Sequence, residues 1–243
     1  MQNWKLTIAY DGTRFSGWQI QAAGRTVQGE IEACLSTIFD SPISITGAGR
    51  TDAGVHALGQ VANARFPERY SPEELRFRLN RMLDGDLSIE LIEPVEPDFS
   101  ARFSATSKVY QYRIVSRKIP HLRDFALNIE RALDLDVLSE AASLLVGTHD
   151  FSAFAVKKSL PERPLCNILR AEWSSEGEIV NLTIEGNRFL HQMIRGLVGA
   201  QLDLERGQFT IADFEGMIQA GQRLEDFTVV PPHGLFLMRV IYP

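Results

Sequence analysis

Apolar and polar residues alternate along the first stretch of the chain, Trp4–Tyr10. A period of two residues is typical of a half-buried strand, and Asp11-Gly12 predicts where that strand ends. The apolar positions then change to helical spacing over Val27–Ile38, and Thr26 precedes them as a predicted N-cap. A short second strand is predicted through Ile43–Ile45.

A glycine-rich loop, Gly47–Gly54, separates this short strand from the next one, which is predicted over Gln60–Phe66. Ser71-Pro72-Glu73-Glu74 has the sequence of a capping box with proline at the first helical position, so a second helix is expected there. Leu87–Val95 predicts a further strand. The first half of the chain is therefore predicted as strand, helix, strand, strand, helix, strand.

The second half shows the same order of patterns. Its predicted elements are a strand at Tyr110–Val115, a helix capped by Asp136, a hairpin of Ile168–Trp173 and Ile179–Ile184 around Glu176-Gly177, a long helix at Phe189–Arg206, a shorter helix at Ala212–Ala220 and a last strand at Leu235–Tyr242.

This order, repeated twice, is that of the split βαβ or ferredoxin-like unit. The predicted fold class is α+β, with two ferredoxin-like (βαββαβ) halves whose antiparallel sheets are flanked by helices and leave a central active-site cleft. The proline-containing stretch 94–103 is the best candidate boundary. It predicts an N-terminal domain over residues 1–103 and a C-terminal domain over residues 104–243.

The composition of the 243-residue chain is that of an ordinary globular protein, with 44% hydrophobic and 23% charged residues. No window approaches the roughly 18 consecutive apolar residues of a membrane span, and the N-terminal residues have no signal-peptide pattern. Cys34 and Cys166 are the two cysteines, so a disulfide framework is not expected. These features predict a cytoplasmic protein.

The net charge of −6 counts against a generic nucleic-acid binder, because phosphate neutralisation needs lysine and arginine. Local charge matters more than net charge, however, and two stretches are basic. The first stretch has no acidic residue between its ends and contains Arg102, Lys108, Arg113, Arg117 and Lys118. The second, shorter stretch contains Lys157, Lys158 and Arg163. Solvated charge scattered over the surface explains both stretches equally well.

The glycine-rich loop is the most unusual part of the sequence. Three glycines within eight residues predict a tight loop that can approach a ligand closely, and Arg50 and Asp52 lie inside it. An ordinary interpretation is an Asx-turn, in which the Asp52 side chain bonds nearby backbone. A phosphate-binding P-loop is disfavoured, because no Lys-Ser/Thr and helix start follow the glycines.

The segment Gly49–Ala57, GRTDAGVHA, resembles the catalytic motif of the tRNA pseudouridine synthase A family. Four further blocks resemble family motifs in the same order along the chain. They are Phe99–Phe103 with Tyr110–Ile114, Gly147–Phe154, Phe189–Gly199, and Gly234–Leu237 with Val240 and Tyr242. The chain departs from the family pattern where Val230-Pro231-Pro232-His233 precedes Gly234 in place of the usual Ala-Pro, which leaves the backbone path beside Leu235 open.

The resemblance implies an isomerase that converts uridine to pseudouridine at positions 38, 39 and 40 of the tRNA anticodon arm, acting as a homodimer. The reaction breaks the N1–C1′ bond, turns the uracil and joins C5 to C1′. It is redox-neutral, so it needs no cofactor, and none is expected. His56, His149, His191 and His233 lack metal-ligand spacing, so structural or RNA-contacting roles are expected and no metal site.

The resemblance also assigns roles to individual residues. Asp52 is implied to be the nucleophile, and Arg195 the cation that keeps it ionised. Tyr110 is implied to stack on the target uracil and to assist proton removal at C5, with Leu235 packed under the ring. A stacked uridine must be flipped out of its helix, and Arg50 is implied to fill the vacated space. The basic stretch that begins at Arg102 then becomes a candidate track for the RNA backbone.

Two functions from other classes compete with this interpretation. A non-catalytic RNA-binding protein could use the same βαββαβ order, but we find no Gly-Phe-aromatic stacking motif of the RNA-recognition modules. A hydrolase with Asp52 as nucleophile would normally need a second carboxylate, which the loop lacks. Whether Asp52 attacks the base, attacks C1′ or deprotonates the sugar stays open.

Overall fold

The computed structural model describes residues 1–223 and 225–243, and they form two compact units. The first unit contains residues 1–106 and 236–243, and the second contains residues 107–235. The predicted domains, 1–103 and 104–243, stay a prediction; the units differ from them chiefly because the last eight residues pack with the first unit. The described residues combine strands with five α-helices, so the α+β class is confirmed.

The strands and helices follow the predicted order along most of the chain. The first unit contains β1 (Gln2–Tyr10), α1 (Val27–Phe39), β2 (Thr46–Gly47), β3 (His56–Phe66), α2 (Pro72–Met82) and β4 (Leu87–Val95). The second contains β5 (Ser107–Val115), β6 (Leu127–Asn128), α3 (Leu135–Ser143), β7 (Gly147–Asp150), β8 (Leu165–Glu176), β9 (Ile179–Gly186), α4 (Met193–Glu205) and α5 (Ile211–Ala220). The last strand is β10 (Leu235–Ile241).

In the first unit β1 pairs antiparallel with both β3 and β4. The short β2 pairs with β3 near Asn63, and β10 pairs parallel with β3 where Phe236 lies opposite His56. Alternate residues of β1, among them Leu6 and Ile8, are fully buried. The alternation in the sequence therefore does mark one buried face, and β3 pairs with β1, β2 and β10.

Two predictions for the first unit need correction. The short strand lies at Thr46–Gly47 and not at Ile43–Ile45, although both of these isoleucines are buried. The predicted capping box forms its first half, since the Ser71 hydroxyl accepts from the Glu74 N–H. The Glu74 carboxylate instead accepts from Arg78 one turn later, because an exposed ion pair at this spacing competes for it.

In the second unit the strands lie in the order β5-β9-β8-β7, all paired antiparallel, and β6 pairs parallel with β5. The predicted hairpin turn is confirmed, with Gly177 at a φ of +59°. Asp134, not Asp136, caps α3, because the Asp134 carboxylate accepts from the backbone N–H groups of Asp136 and Val137. Helix α4 begins at Met193 and not at Phe189 because Gln192 has a φ of +61°, which a right-handed helix cannot contain.

No helix in the described part of the chain is both long and apolar enough to span a membrane.

Candidate active site

The glycine-rich loop connects β2 to β3 in the first unit. Thr51 within it is buried and Asp52 is half-buried. The backbone carbonyl of Asp52 accepts from the N–H of Val55 at 3.2 Å, which closes a turn, and Gly54 inside that turn has a φ of +78°. Glycine adopts this conformation without steric penalty, so the sequence GRTDAG makes the turn directly after Asp52.

A second segment, residues 11–26, packs against this loop, and two of its glycines make the closest contacts. A Cβ atom added at Gly17 would lie 2.7 Å from the Thr51 carbonyl oxygen and 3.2 Å from the Ala53 nitrogen. A Cβ atom at Gly12 would lie 2.1 Å from the Val55 carbonyl oxygen. The segment therefore follows the backbone on both sides of Asp52 closely, and only glycine fits at these two positions.

Hydrogen bonds from β1, from β3 and from the segment 11–26 fix the same loop. The Tyr10 hydroxyl and the Thr51 hydroxyl are 2.8 Å apart, the Trp18 N–H donates to the Thr51 carbonyl at 3.2 Å, and the Gln60 amide donates to the Gly49 carbonyl at 3.0 Å. Burial raises the pKa of Tyr10 to about 12, although its bonds to Thr51 and Gln60 oppose the shift. Tyr10 therefore stays protonated at neutral pH.

No pattern in the sequence marks Tyr10, Gly12, Gly17 or Gln60 as part of the site. Gly12 and Gly17 follow the end of β1 closely and could have indicated a tight segment. Nothing in the sequence indicates which loop that segment contacts. Each of these residues contacts the glycine-rich loop, called the Asp52 loop below, through its backbone, a hydroxyl or a side-chain amide. We therefore describe them as positioning residues.

His56, one of the four histidines considered in the sequence, is a structural residue in the first unit. It is 1% exposed and its ring stacks on Phe236 with centroids 4.6 Å apart. Nδ1 accepts from the Gly12 N–H at 3.0 Å, and an oxygen of Asp11 lies 3.2 Å away. The bond from Gly12 requires an unprotonated Nδ1. This bond, and not an ion pair with Asp11, therefore joins the segment 11–26 to the start of β3.

The two arginines predicted in the first unit differ in their surroundings. Arg50 is exposed, and its Nε donates to the Gln19 side-chain oxygen at 3.1 Å. Arg102 is also exposed, with its guanidinium 5.2 Å from the centre of the Phe103 ring. Phe103 is 80% exposed. An exposed arginine against an exposed aromatic ring is a pair that can stack on nucleobases.

Two arginines of the basic stretch that begins at Arg102 have partners within the protein. Arg117 forms an ion pair of 2.5 Å with Glu178, and the Arg113 Nε donates to the Gln111 side chain at 2.9 Å. In the second cluster Lys157, Lys158 and Arg163 are all exposed.

Tyr110 lies on β5 of the second unit and is 7% exposed. Its ring packs edge-on against Phe189, with centroids 5.2 Å apart. Leu235, which begins the last strand, is 6% exposed. Both residues are therefore largely packed in the protein, as is usual for a strand tyrosine and a core leucine.

Arg195 lies in the first turn of α4 and is half-buried. Its Nε donates to the Val230 carbonyl at 2.8 Å, and its own carbonyl accepts from the Val230 N–H at 3.3 Å. Burial raises the pKa of Tyr112, and the charge of Arg195 opposes that shift, so the two side chains are near each other.

The backbone path is defined at Val230–His233, where the sequence departs from the family pattern. The Pro231 carbonyl accepts from the Tyr112 hydroxyl at 2.8 Å, and Pro232–Gly234 form one 3-10 turn. A Cβ atom at Gly234 would lie 2.8 Å from the Tyr112 ring, so glycine is required beside that tyrosine. The chain thus enters Leu235 from a turn that is fixed on β5.

The predicted site residues are divided between the two units. Arg50, Asp52 and Arg102 belong to the first, and Tyr110, Arg195 and Leu235 belong to the second. Their contacts inside each unit are those given above. The predicted pairing of Asp52 with Arg195 stays a prediction.

Comparison with known proteins identifies the family. A family model described as tRNA pseudouridine synthase matches residues 6–104 and 141–243. The chain is 39% identical to tRNA pseudouridine synthase A of Parabacteroides distasonis over 246 residues, covering 100% of this chain and 97% of the relative. It is 38% identical to the protein of that name from Chlorobium luteolum, covering 100% and 96%. It is 37% identical to tRNA pseudouridine synthase A 2 of Bacillus cereus, covering 99% of each. The chain therefore belongs to the tRNA pseudouridine synthase A family, a family of tRNA-modifying isomerases.

Proposed function

We propose that this protein isomerises uridine to pseudouridine at positions 38, 39 and 40 of the tRNA anticodon arm, with Asp52 as the nucleophile. The observation that carries the proposal is the construction of the Asp52 loop. Its backbone is held on both sides of the carboxylate by Gly12 and Gly17, and from beneath by the Tyr10 hydroxyl. A catalytic group gains from such fixation, because displacement of about 1 Å can cost roughly a hundredfold in rate.

The proposed reaction balances without an added reactant. The bond between N1 and C1′ breaks, the uracil turns while it remains bound, and a bond forms between C5 and C1′. The hydrogen on C5 then leaves as a proton, and N1 gains a proton. An ionised Asp52 is needed whether it adds to the base, attacks C1′ or takes a proton from the sugar.

In this proposal Arg195 is the cation that keeps Asp52 ionised once the uracil covers it. Its Nε bond to the Val230 carbonyl fixes the guanidinium in the first turn of α4, and a guanidinium is the cation whose planar shape matches a carboxylate. Tyr110 stacks on the uracil and assists removal of the C5 proton, and Leu235 packs under the ring. Packing of Tyr110 on Phe189 supports this role, because a fixed aromatic ring is a better stacking platform than a free one.

The target uridine must leave its base stack before it can react. We propose that Arg50 occupies the vacated space and holds the neighbouring phosphate. The pair of Arg102 and Phe103 is proposed to contact the RNA beside it, since both side chains are exposed. The exposed lysines of the second basic cluster, Lys157 and Lys158, are proposed to contact the RNA backbone as well.

We further propose that each half of the chain is ferredoxin-like, that the enzyme acts as a homodimer and that it works in the cytoplasm. The strand order β4-β1-β3 with β2 beyond β3 supports the first proposal, because it is the order of a split βαβ unit. Family membership supports the other two.

The test is release of tritium from tRNA that carries the label at uracil C5. We expect the purified protein to release tritium from unmodified tRNA without added cofactor, and to leave pseudouridine at the anticodon arm. Sequencing of the product then identifies the modified positions. A full tRNA pool that releases no tritium above the level of a protein-free control would contradict the proposal.

A further inference from the structure

Arg50 is the first member of a continuous chain of side-chain hydrogen bonds. Its Nε donates to the Gln19 oxygen at 3.1 Å, the Gln19 amide nitrogen donates to the Gln28 oxygen at 2.8 Å, and the Gln28 amide nitrogen donates to Glu32 at 2.8 Å. We call these four residues the Arg50 relay. The relay begins at a side chain that can only donate and ends at one that can only accept.

This arrangement fixes the direction of both amides in the Arg50 relay. A guanidinium offers no acceptor, so Gln19 must present its oxygen to Arg50, and a carboxylate offers no donor, so Gln28 must present its nitrogen to Glu32. The two amide dipoles are therefore aligned between a cation and an anion. Such chains strengthen each of their bonds, because every dipole polarises the next one.

The far end of the Arg50 relay is tied to a rigid element. Gln28 and Glu32 lie one turn apart on α1, and Glu32 also accepts from the Ile45 N–H at 2.9 Å. The Gln28 N–H donates to the Trp18 carbonyl at 3.1 Å. The position of Gln19 is thus set by helix α1, and Gln19 in turn sets the direction of the exposed Arg50 side chain.

We propose that Gln19 is a positioning residue for Arg50, and that the relay prepares the arginine for RNA whose target uridine is base-paired. The inference rests on the proposed function, in which Arg50 fills the space of the flipped base. The bond to Gln19 uses one of the five N–H groups of the guanidinium, so the terminal nitrogens can bind a phosphate in the bidentate geometry that arginine favours.

The Arg50 relay matters most when the target uridine is costly to flip out of its helix. A paired uridine must be unpaired and unstacked, and a mismatched or unpaired one costs less to extrude. A pre-positioned Arg50 loses less side-chain entropy when it takes the vacated place. Its contribution should therefore appear in the rate on a paired target and be small on an unpaired one.

The test compares two synthetic anticodon arms that differ only in the base opposite the target uridine, paired in one and mismatched in the other. Gln19→Met keeps the length of the side chain and removes the amide. We expect kcat/KM on the paired arm to fall about five- to tenfold, which lies within the range for the loss of one ordinary hydrogen bond. On the mismatched arm we expect kcat/KM to change by less than about twofold. The melting temperature of the variant protein should equal that of the wild type.

Two variants control the measurement. Gln21→Met removes an amide from the same segment, where Gln21 donates to the Ser16 carbonyl at 2.6 Å and not to Arg50, and it should keep the wild-type preference between the arms. Arg50→Lys removes the Nε donor, so adding Gln19→Met to it should have no further effect. Gln28→Met breaks the relay one bond further away and should reproduce the selective loss.

Equal losses on both arms, or an undiminished effect of Gln19→Met in the Arg50→Lys background, would overturn the relay. So would a Gln21→Met variant as selective as Gln19→Met. Failure of the proposed function gives a different result, since the wild-type protein would then release no tritium from either arm.

Discussion

Gly17→Ala tests whether the segment 11–26 positions the Asp52 loop. The added Cβ would lie 2.7 Å from the Thr51 carbonyl oxygen, while ordinary contact begins at 3.4 Å, so the loop must retreat by about 0.7 Å. Gly17 also has a φ of +96°, where a side chain costs about 1–2 kcal/mol. Overlap with the fixed carbonyl adds about 1–3 kcal/mol to the loss of folding stability.

The catalytic effect follows from the displacement of Asp52. Misplacement of about 1 Å costs roughly a hundredfold in rate, so a shift of this size predicts a fall in kcat of about ten- to fiftyfold with little change in KM. The assay is tritium release at saturating tRNA, combined with urea unfolding to measure stability.

Gly24→Ala provides the matched control. Gly24 has a φ of +90°, so the backbone penalty is the same, but its Cβ would meet the Ser16 hydroxyl, a side-chain atom that can rotate away. We expect Gly24→Ala to lower stability by about 1–2 kcal/mol and to keep a near-normal kcat. The reasoning is refuted if the two variants have kcat values within about twofold of each other.

Two further substitutions test the surroundings of the loop. Tyr10→Phe removes the hydroxyl that bonds Thr51 and should lower the free energy of unfolding by about 1 kcal/mol, as measured in urea; an unchanged stability and rate would show that the bond does not hold the loop. Burial alone would raise the pKa of the Asp86 carboxyl, whose side chain is 6% exposed. Arg25 at 2.7 Å and Arg14 at 3.2 Å together act against burial, and the pKa lies below the usual value. The pair therefore stabilises the fold above the ordinary carboxyl pKa of about 4, and this contribution is lost as the pH falls through the lower folded-state pKa. Arg25→Met should destabilise the fold by about 3 kcal/mol at pH 7, and its deficit against wild type should shrink below about pH 4; a deficit independent of pH would contradict the assignment.

Local patterns predicted most of the fold. The strand predicted at Leu87–Val95 is β4 with its observed bounds, and Thr26 and Ser71 cap the helices that their positions predict. Local patterns did not predict a helix start where two residues were equally good caps or where no residue typical of a helix end was present. Asp134 and Asp136 both lie at the start of α3, one just before it and one in its first turn, and the sequence does not show which is the cap. Gln192 adopts a left-handed conformation without the glycine that would signal it.

The candidate site residues were predicted on a different basis. Asp52, Arg50, Tyr110 and Arg195 came from motif resemblance, which needs no knowledge of contacts. The contacts that hold the Asp52 loop join residues far apart in the sequence, such as Tyr10 with Thr51, and arise only when strands pair. Patterns along the chain predict which face is buried, but they do not predict which loop a buried hydroxyl meets.

The central claim is that the Asp52 carboxylate performs the chemistry, and Asp52→Asn tests it most directly. The amide keeps the size of the side chain and removes its charge and nucleophilicity. In single-turnover experiments with the protein in excess, we predict tRNA binding within about threefold of wild type. We predict that tritium release falls by roughly four orders of magnitude or more, the scale on which an enzyme loses its nucleophile. Tritium release by Asp52→Asn within about tenfold of the wild-type rate would contradict the account.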